Sequence, residues 1–135
     1  MRPTIPILFL FFTLWASAQS VHISVTPAYT QAQILPEYPG GTRAMNEYME
    51  STDYPDIAIL EKKQGTVVLS FTITETGEVA AIRILQSSGY RPLDITAAHE
   101  VNDMPDWTPG FKYGCAVPVL MTISVKYTLP ERHRR

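Results

Sequence analysis

Residues 117–129 read VPVLMTISVKYTL and are the stretch that decides the fold. Apolar residues occupy every second position, seven times in succession: Val117, Val119, Met121, Ile123, Val125, Tyr127 and Leu129. The residues between them are Pro118, Leu120, Thr122, Ser124, Lys126 and Thr128. A period of two predicts a strand with one buried face. Because Pro118 has no N–H, it suits a strand start or an edge strand, and we predict that this strand lies at the edge of the sheet.

Two further strands precede it. Residues 66–74 alternate in the same way, with Val67, Leu69, Phe71 and Ile73 on one face. Gly77 lies in the following turn, where it is free to take positive φ, and residues 79–85 return as the second strand of a hairpin. The alternation of this returning strand is poorer, which predicts a bulge near Ala80.

Three helices are predicted between the strands. The first runs from about Arg43 to Glu50 with Thr42 as its N-cap, and a short one follows over residues 56–63 with Asp56 as its cap. The third begins near Pro92 and is stopped by Pro105. Its apolar face is formed by Leu93, Ala97, Val101 and Met104. Helices grouped with an antiparallel sheet describe an α+β two-layer domain.

The ends of the chain differ from its body. Residues 1–18 contain Arg2, an apolar run and then Ala16-Ser17-Ala18, which is typical of a secretory signal peptide cleaved after Ala18. An uncleaved membrane anchor is the alternative, although the apolar run is shorter than the roughly 20 residues of a spanning helix. Residues 19–35 form an N-terminal extension compatible with a short strand or a linker, and residues 131–135 are a basic tail.

The composition argues against several functions. The net charge of −2, without a basic cluster in the body of the chain, gives no support to nucleic-acid binding. The sequence has no G-x-S-x-G, H-E-x-x-H, C-x-x-C or phosphate-loop motif, and its three histidines lie far apart, so we expect no enzyme, cofactor or metal site. Cys115 with His99 is a weak nucleophile-and-base candidate, and a buried or half-buried small thiol is the preferred interpretation. Trp107 is expected to pack against the sheet.

An edge strand at residues 117–129 would itself provide a binding site. Its unpaired N–H and C=O groups can add an extended peptide to the sheet, with the backbone supplying the affinity. The equally weighted alternative is an edge that Lys126 and Pro118 protect from pairing.

The chain resembles a known family over about residues 35–129. The segments that carry the resemblance are PEYPGG (36–41), YP (54–55), GTVVLSF (65–71), TGEV (76–79), LQSS (85–88), LD (93–94), MPDWTPG (104–110) and the final alternating strand. In this order and spacing they are similar to the C-terminal domain of TonB, the periplasmic energy transducer of Gram-negative bacteria, in its Bacteroidetes variety. The resemblance implies a domain over residues 36–130 in which helices cover one face of a small antiparallel sheet.

The resemblance also implies a partner. In TonB the last strand pairs with the TonB-box peptide of an outer-membrane transporter, which maps here to Pro118, Leu120, Thr122, Ser124, Lys126 and Thr128. Tyr54 and Pro55 would lie next to the docked peptide. The expectation is a periplasmic peptide-binding module in TonB-dependent transport. One alternative is a self-associating envelope module, for example a homodimer. The other is a full transducer that reaches the inner-membrane proton-driven motor if the N-terminus is an uncleaved anchor.

Overall fold

The structure is a computed structural model that describes residues 20–29, 31–51 and 54–129. The predicted signal peptide and basic tail lie outside these residues. The strands are β1 (Ser20–Tyr29), β2 (Gly65–Ile73), β3 (Val79–Gln86), β4 (Gly110–Lys112), β5 (Cys115–Val117) and β6 (Val119–Thr128). The helices are α1 (Gly41–Glu50), α2 (Asp56–Leu60) and α3 (Arg91–Asn102). This is the predicted α+β arrangement, with strand β1 and the β4–β5 hairpin added to it.

Four strands form one antiparallel sheet in the order β1-β6-β2-β3. The predicted alternation places the core correctly, because Val67, Leu69, Phe71 and Ile73 of β2 are fully buried. Their register partners in β6 are Val125, Ile123, Met121 and Val119, which are also buried. Two adjacent rows of apolar residues on one face of the sheet thus form the centre of the core, as expected for strands with one buried face.

The predicted strand over residues 117–129 is interrupted. Pro118 separates β5 from β6, because a residue without an N–H cannot donate a hydrogen bond to a ladder. Val117 belongs instead to the small β4–β5 hairpin, where it pairs with Gly110. The strand that joins the main sheet therefore begins at Val119.

The β2–β3 hairpin agrees with the prediction. Gly77 has a φ of 92°, and Trp107 N–H donates a 2.8 Å hydrogen bond to its carbonyl oxygen. The predicted bulge lies one residue further along: Ala81 has a φ of 53°, and the β2–β3 register shifts between Ser70 and Thr72. The bulge explains the poor alternation of β3, because an extra residue exchanges the two faces of a strand.

Both predicted helix caps are wrong. Helix α1 starts at Gly41 with Gly40 as its N-cap, and Thr42 lies within its first turn. Helix α2 starts at Asp56 with Pro55 as its N-cap and ends at Leu60 rather than Lys63. In both cases the chain enters the helix from a segment rich in glycine or proline, whose backbone geometry sets the entry without a side-chain cap.

The third helix packs as its pattern predicts. Leu93, Ala97 and Val101 are fully buried, and Met104 is buried just beyond the helix end. Trp107 is buried against the sheet, with its ring centroid 5.8 Å from that of Phe71. No helix in the described part of the chain combines the length and apolar character needed to cross a membrane.

Candidate peptide-binding edge

The predicted edge strand is not at an edge. Strand β6 pairs with β2 on one side and with β1 on the other, through register pairs that run from Ser20↔Thr128 to Tyr29↔Leu120. The prediction failed because the alternation of β6 reports its buried face and carries no information on its lateral neighbours. The occupant of the predicted binding edge is the chain's own N-terminal extension.

The direction of each backbone group in β6 follows from the neighbouring hairpin. Thr74 N–H donates to Glu78 O at 2.9 Å, so even-numbered residues of β2 direct their backbone groups toward β3. The backbone groups of the odd-numbered residues of β2 then point toward β6. Their partners in β6 are also odd-numbered, and the backbone groups of these partners point toward β2. Leu129 N–H, which donates to Gln64 Oε1 at 3.2 Å, fits the same alternation. The even-numbered residues of β6 therefore face β1.

These even-numbered residues, which we call the β1-facing residues, are Leu120, Thr122, Ser124, Lys126 and Thr128. They are the predicted peptide-binding positions except Pro118, which lies before β6 and outside the ladder. Leu120 and Lys126 are exposed, and the other three are half-buried. The backbone groups of these five residues face β1, and their role in binding a peptide stays a prediction.

Pro27 is consistent with this geometry. It pairs with Met121 of β6, an odd-numbered residue that faces β2. In β1 the backbone at Pro27 is thereby directed away from β6, where a missing N–H costs no ladder bond. Ser24 lies three positions earlier, so its backbone faces β6 opposite Ser124.

Tyr54 lies beneath β6 rather than beside it. Its ring contacts that of Tyr127 edge-on at 5.4 Å between centroids, and its hydroxyl donates to the carbonyl oxygen of Lys63. Burial raises the pKa of both tyrosine hydroxyls above its ordinary value of 10.0. Pro55 follows as the N-cap of α2. Tyr54 supports the strand from its buried side.

A cavity of about 400 Å³ lies between β1 and α1. Its apolar lining includes Ile23, Val25, Tyr38, Met45, Trp107 and Met121. Ile23 and Val25 are half-buried and pack against the core, whereas Ser24 between them is exposed. Strand β1 thus closes one side of this cavity with alternate side chains. The signal for it was present in the sequence as the alternation of Val21, Ile23 and Val25.

The open edge lies on the opposite side of the sheet. Within the described residues β3 pairs only with β2, and Ile84 and Leu85 are 45% and 60% exposed. A shallow groove beside it is lined by Ile82, Ile84, Ile95, Ala98, His99 and Asn102. The charge pattern of the sequence gave no indication of this edge, since Arg83 is the one charged residue in β3.

The thiol interpretation changes as well. Cys115 is exposed in β5, so the expected buried or half-buried thiol is wrong, and His99 is exposed on α3. Over the described ranges no three His, Cys, Asp or Glu side chains gather into a group that could hold a metal ion.

Comparison with known proteins agrees with this architecture. The family model described as "Gram-negative bacterial TonB protein C-terminal" matches residues 50–129, more than half of the chain. The solution NMR structure of the Pseudomonas aeruginosa TonB C-terminal domain is similar at 25% identity and a TM-score of 0.53. The alignment covers 63% of this chain and 85% of that one. A search of curated proteins finds no match.

The C-terminal domain of this family is an interaction module that takes part in transport energy coupling and generally contacts outer-membrane transporters. The α+β fold described above, a small antiparallel sheet with helices, matches that of the similar TonB domain. On the matched residues and the shared fold, this chain belongs to the TonB C-terminal domain family.

Proposed function

We propose that this protein is a periplasmic TonB-like module that pairs β6 with the TonB-box peptide of an outer-membrane transporter. The observation that carries the proposal is the lateral pairing of the β1-facing residues with an extended segment. A position that accepts one extended strand has the spacing and direction of backbone groups needed for another. The family's contact with transporters supplies the class of partner.

Titration with transporter peptides tests the proposal. The probes are synthetic peptides covering the N-terminal TonB-box segments of outer-membrane transporters from the same genome, added to the isotope-labelled full chain. We expect NMR shifts along β6 and β1 at peptide concentrations up to millimolar, and none with scrambled peptides of equal composition. Unchanged spectra along β6 with every peptide would reject the proposal.

The periplasmic location is part of the same proposal. It is supported by the signal-like residues 1–18 and by the family, whose C-terminal domain is periplasmic. Mass spectrometry of the exported protein provides the test, with an N-terminus at Gln19 as the expected result. A retained N-terminus would instead support the anchored transducer, which engages the inner-membrane motor.

A second candidate function is self-association through β3. It is favoured by the unpaired side of β3 and by the exposed Ile84 and Leu85 on it, since an open edge is a template for another strand. Sedimentation equilibrium at high protein concentration tests this candidate. A purely monomeric protein would count against it.

A further inference from the structure

We propose that β1 is a removable occupant of the peptide site, so that a ligand binds β6 by strand exchange. We also propose that the ligand is an extended antiparallel peptide with β-branched apolar residues at alternate positions. The inference rests on the proposed function for the identity of the site. It adds what the site accepts and how the chain itself limits access to it.

We infer that β1 separates from β6 more easily than β2 does. Its contacts are chiefly with β6, with a smaller set to α1. Ile23 and Val25 are only half-buried, whereas the core residues of β2 are fully buried. Releasing Ile23 and Val25 therefore exposes less apolar surface than separating the fully buried rows of β2 and β6. A local opening that exposes less apolar area costs less free energy.

The occupant also indicates the chemistry of the ligand. Ile23 and Val25 lie opposite Val125 and Ile123 in the register and close the cavity beside α1. Between them Ser24 is exposed, so a small polar residue suffices at that position. A competing peptide must supply the same two half-buried side chains, and β-branched residues fit such a surface well. A proline is acceptable only where the backbone faces away from β6, as at Pro27.

The occupied site has a quantitative consequence. When a site is available only in a fraction of molecules, the apparent dissociation constant is the intrinsic one divided by that fraction. Weakening β1 without touching β6 should therefore tighten peptide binding. A change in β1 that keeps its backbone hydrogen bonds should leave the affinity unaltered.

Ser24 offers a matched pair of substitutions for this test. Ser24→Pro removes an N–H that faces β6, whereas Ser24→Ala keeps the N–H and alters only an exposed side chain. The probe is a fluorescent peptide of this chain's own residues 20–29, SVHISVTPAY, measured by anisotropy against the full chain. We expect the Ser24→Pro chain to bind at least about tenfold more tightly than wild type, and Ser24→Ala to match wild type.

Equal affinity, or no binding, in all three folded chains would overturn the inference. Because this probe is independent of any transporter, its success with failure of every transporter peptide would reject the proposed function and keep the exchangeable strand. The reverse outcome would reject the exchangeable strand and keep the proposed function.

Hydrogen exchange of the unmodified chain gives a second test if Ser24→Pro does not fold. Amides of Thr122, Ser124 and Lys126 face β1, and those of Ile123 and Val125 face β2. We expect the first group to exchange faster, because release of β1 is a partial opening. Exchange of both groups at one common rate through global unfolding would show that β1 does not separate, and would overturn the inference.

Discussion

Asp94 joins the end of β3 to the first turn of α3. It is 8% exposed, and its carboxylate accepts hydrogen bonds from Ser87 Oγ, from Ser88 N–H at 2.8 Å and from Ser88 Oγ at 2.7 Å. Burial alone would raise the pKa of this carboxyl, but the hydrogen bonds from Ser87 and Ser88 outweigh it and hold the pKa below its ordinary 3.8. The loop therefore depends on a charged acceptor.

Asp94→Asn is predicted to lower the free energy of unfolding by about 1.5–3 kcal/mol at pH 7, the range for hydrogen bonds to a charged group. A group with a lowered folded-state pKa stabilises above its unfolded pKa and loses this contribution as the pH falls through the folded value. The difference between wild type and variant should thus shrink below about pH 4. Urea unfolding at pH 7 and pH 3 measures it, with the exposed Asp106→Asn as control; an unchanged difference would contradict the role of the charge.

Loss of a hydroxyl should have opposite effects at Tyr54 and Tyr127, whose rings are in edge-to-face contact. Tyr127 Oη is buried and has no hydrogen-bond partner among the described residues, whereas Tyr54 Oη donates to Lys63. Tyr127→Phe should therefore leave stability unchanged or raise it by about 1 kcal/mol, because an unsatisfied buried hydroxyl is removed. Tyr54→Phe should lower it by about 1 kcal/mol. Thermal and urea unfolding measure the stability of both variants. Equal losses of stability would contradict the difference in hydrogen bonding between the two hydroxyls.

In the β2–β3 hairpin, two separate constraints favour a glycine at position 77. A Cβ on Gly77 would lie 1.9 Å from the carbonyl oxygen of Trp107, and its φ is positive. Gly89 has a similar φ of 89° but open space around it. Gly89→Ala should cost about 1–2 kcal/mol from backbone strain alone, and Gly77→Ala at least about 2 kcal/mol more from the collision.

Urea unfolding of the two glycine variants separates these terms. Equal losses would mean that the loop carrying Trp107 yields to the added methyl group. In that case the hydrogen bond from Trp107 N–H to Gly77 would contribute little to holding the loop against the hairpin.

What the sequence reveals about the elements depends on the range of the forces that form them. Alternation in β2 and β6 identified the buried face, because each side chain reports its own burial. The neighbours of a strand depend on contacts between residues far apart in sequence, and so the pairing of β1 with β6 was missed. Helix caps at Gly40 and Pro55 were missed because backbone geometry replaced the expected side chains there.

At the scale of the molecule, the sheet has two unlike ends. One is closed by β1, which belongs to the N-terminal extension, and the other is the unpaired side of β3. The resemblance seen in the sequence predicted the family and the fold, and both predictions are confirmed. It assigned the binding strand by analogy, and neither the identity of the occupant nor the opposite open edge followed from it.

Association through the open edge is predicted to be sensitive to a single charge. Ile84→Lys places an ammonium group on β3, a device that protects natural edges, and should reduce any dimer fraction. Leu60→Lys is the control, because Leu60 is 80% exposed and belongs to α2 rather than to β3. Sedimentation equilibrium measures the dimer fraction, and equal dimerisation of both variants would exclude β3 as the interface.

The placement of β1 also affects how a ligand would be detected. If an incoming strand replaces β1, the hydrogen bonds formed and lost are alike in number and kind, and the apolar area buried changes little. The enthalpy and heat capacity of binding should then both be close to zero. A calorimetric screen would miss such a ligand, whereas a protease that cuts the freed residues 20–29 would register it.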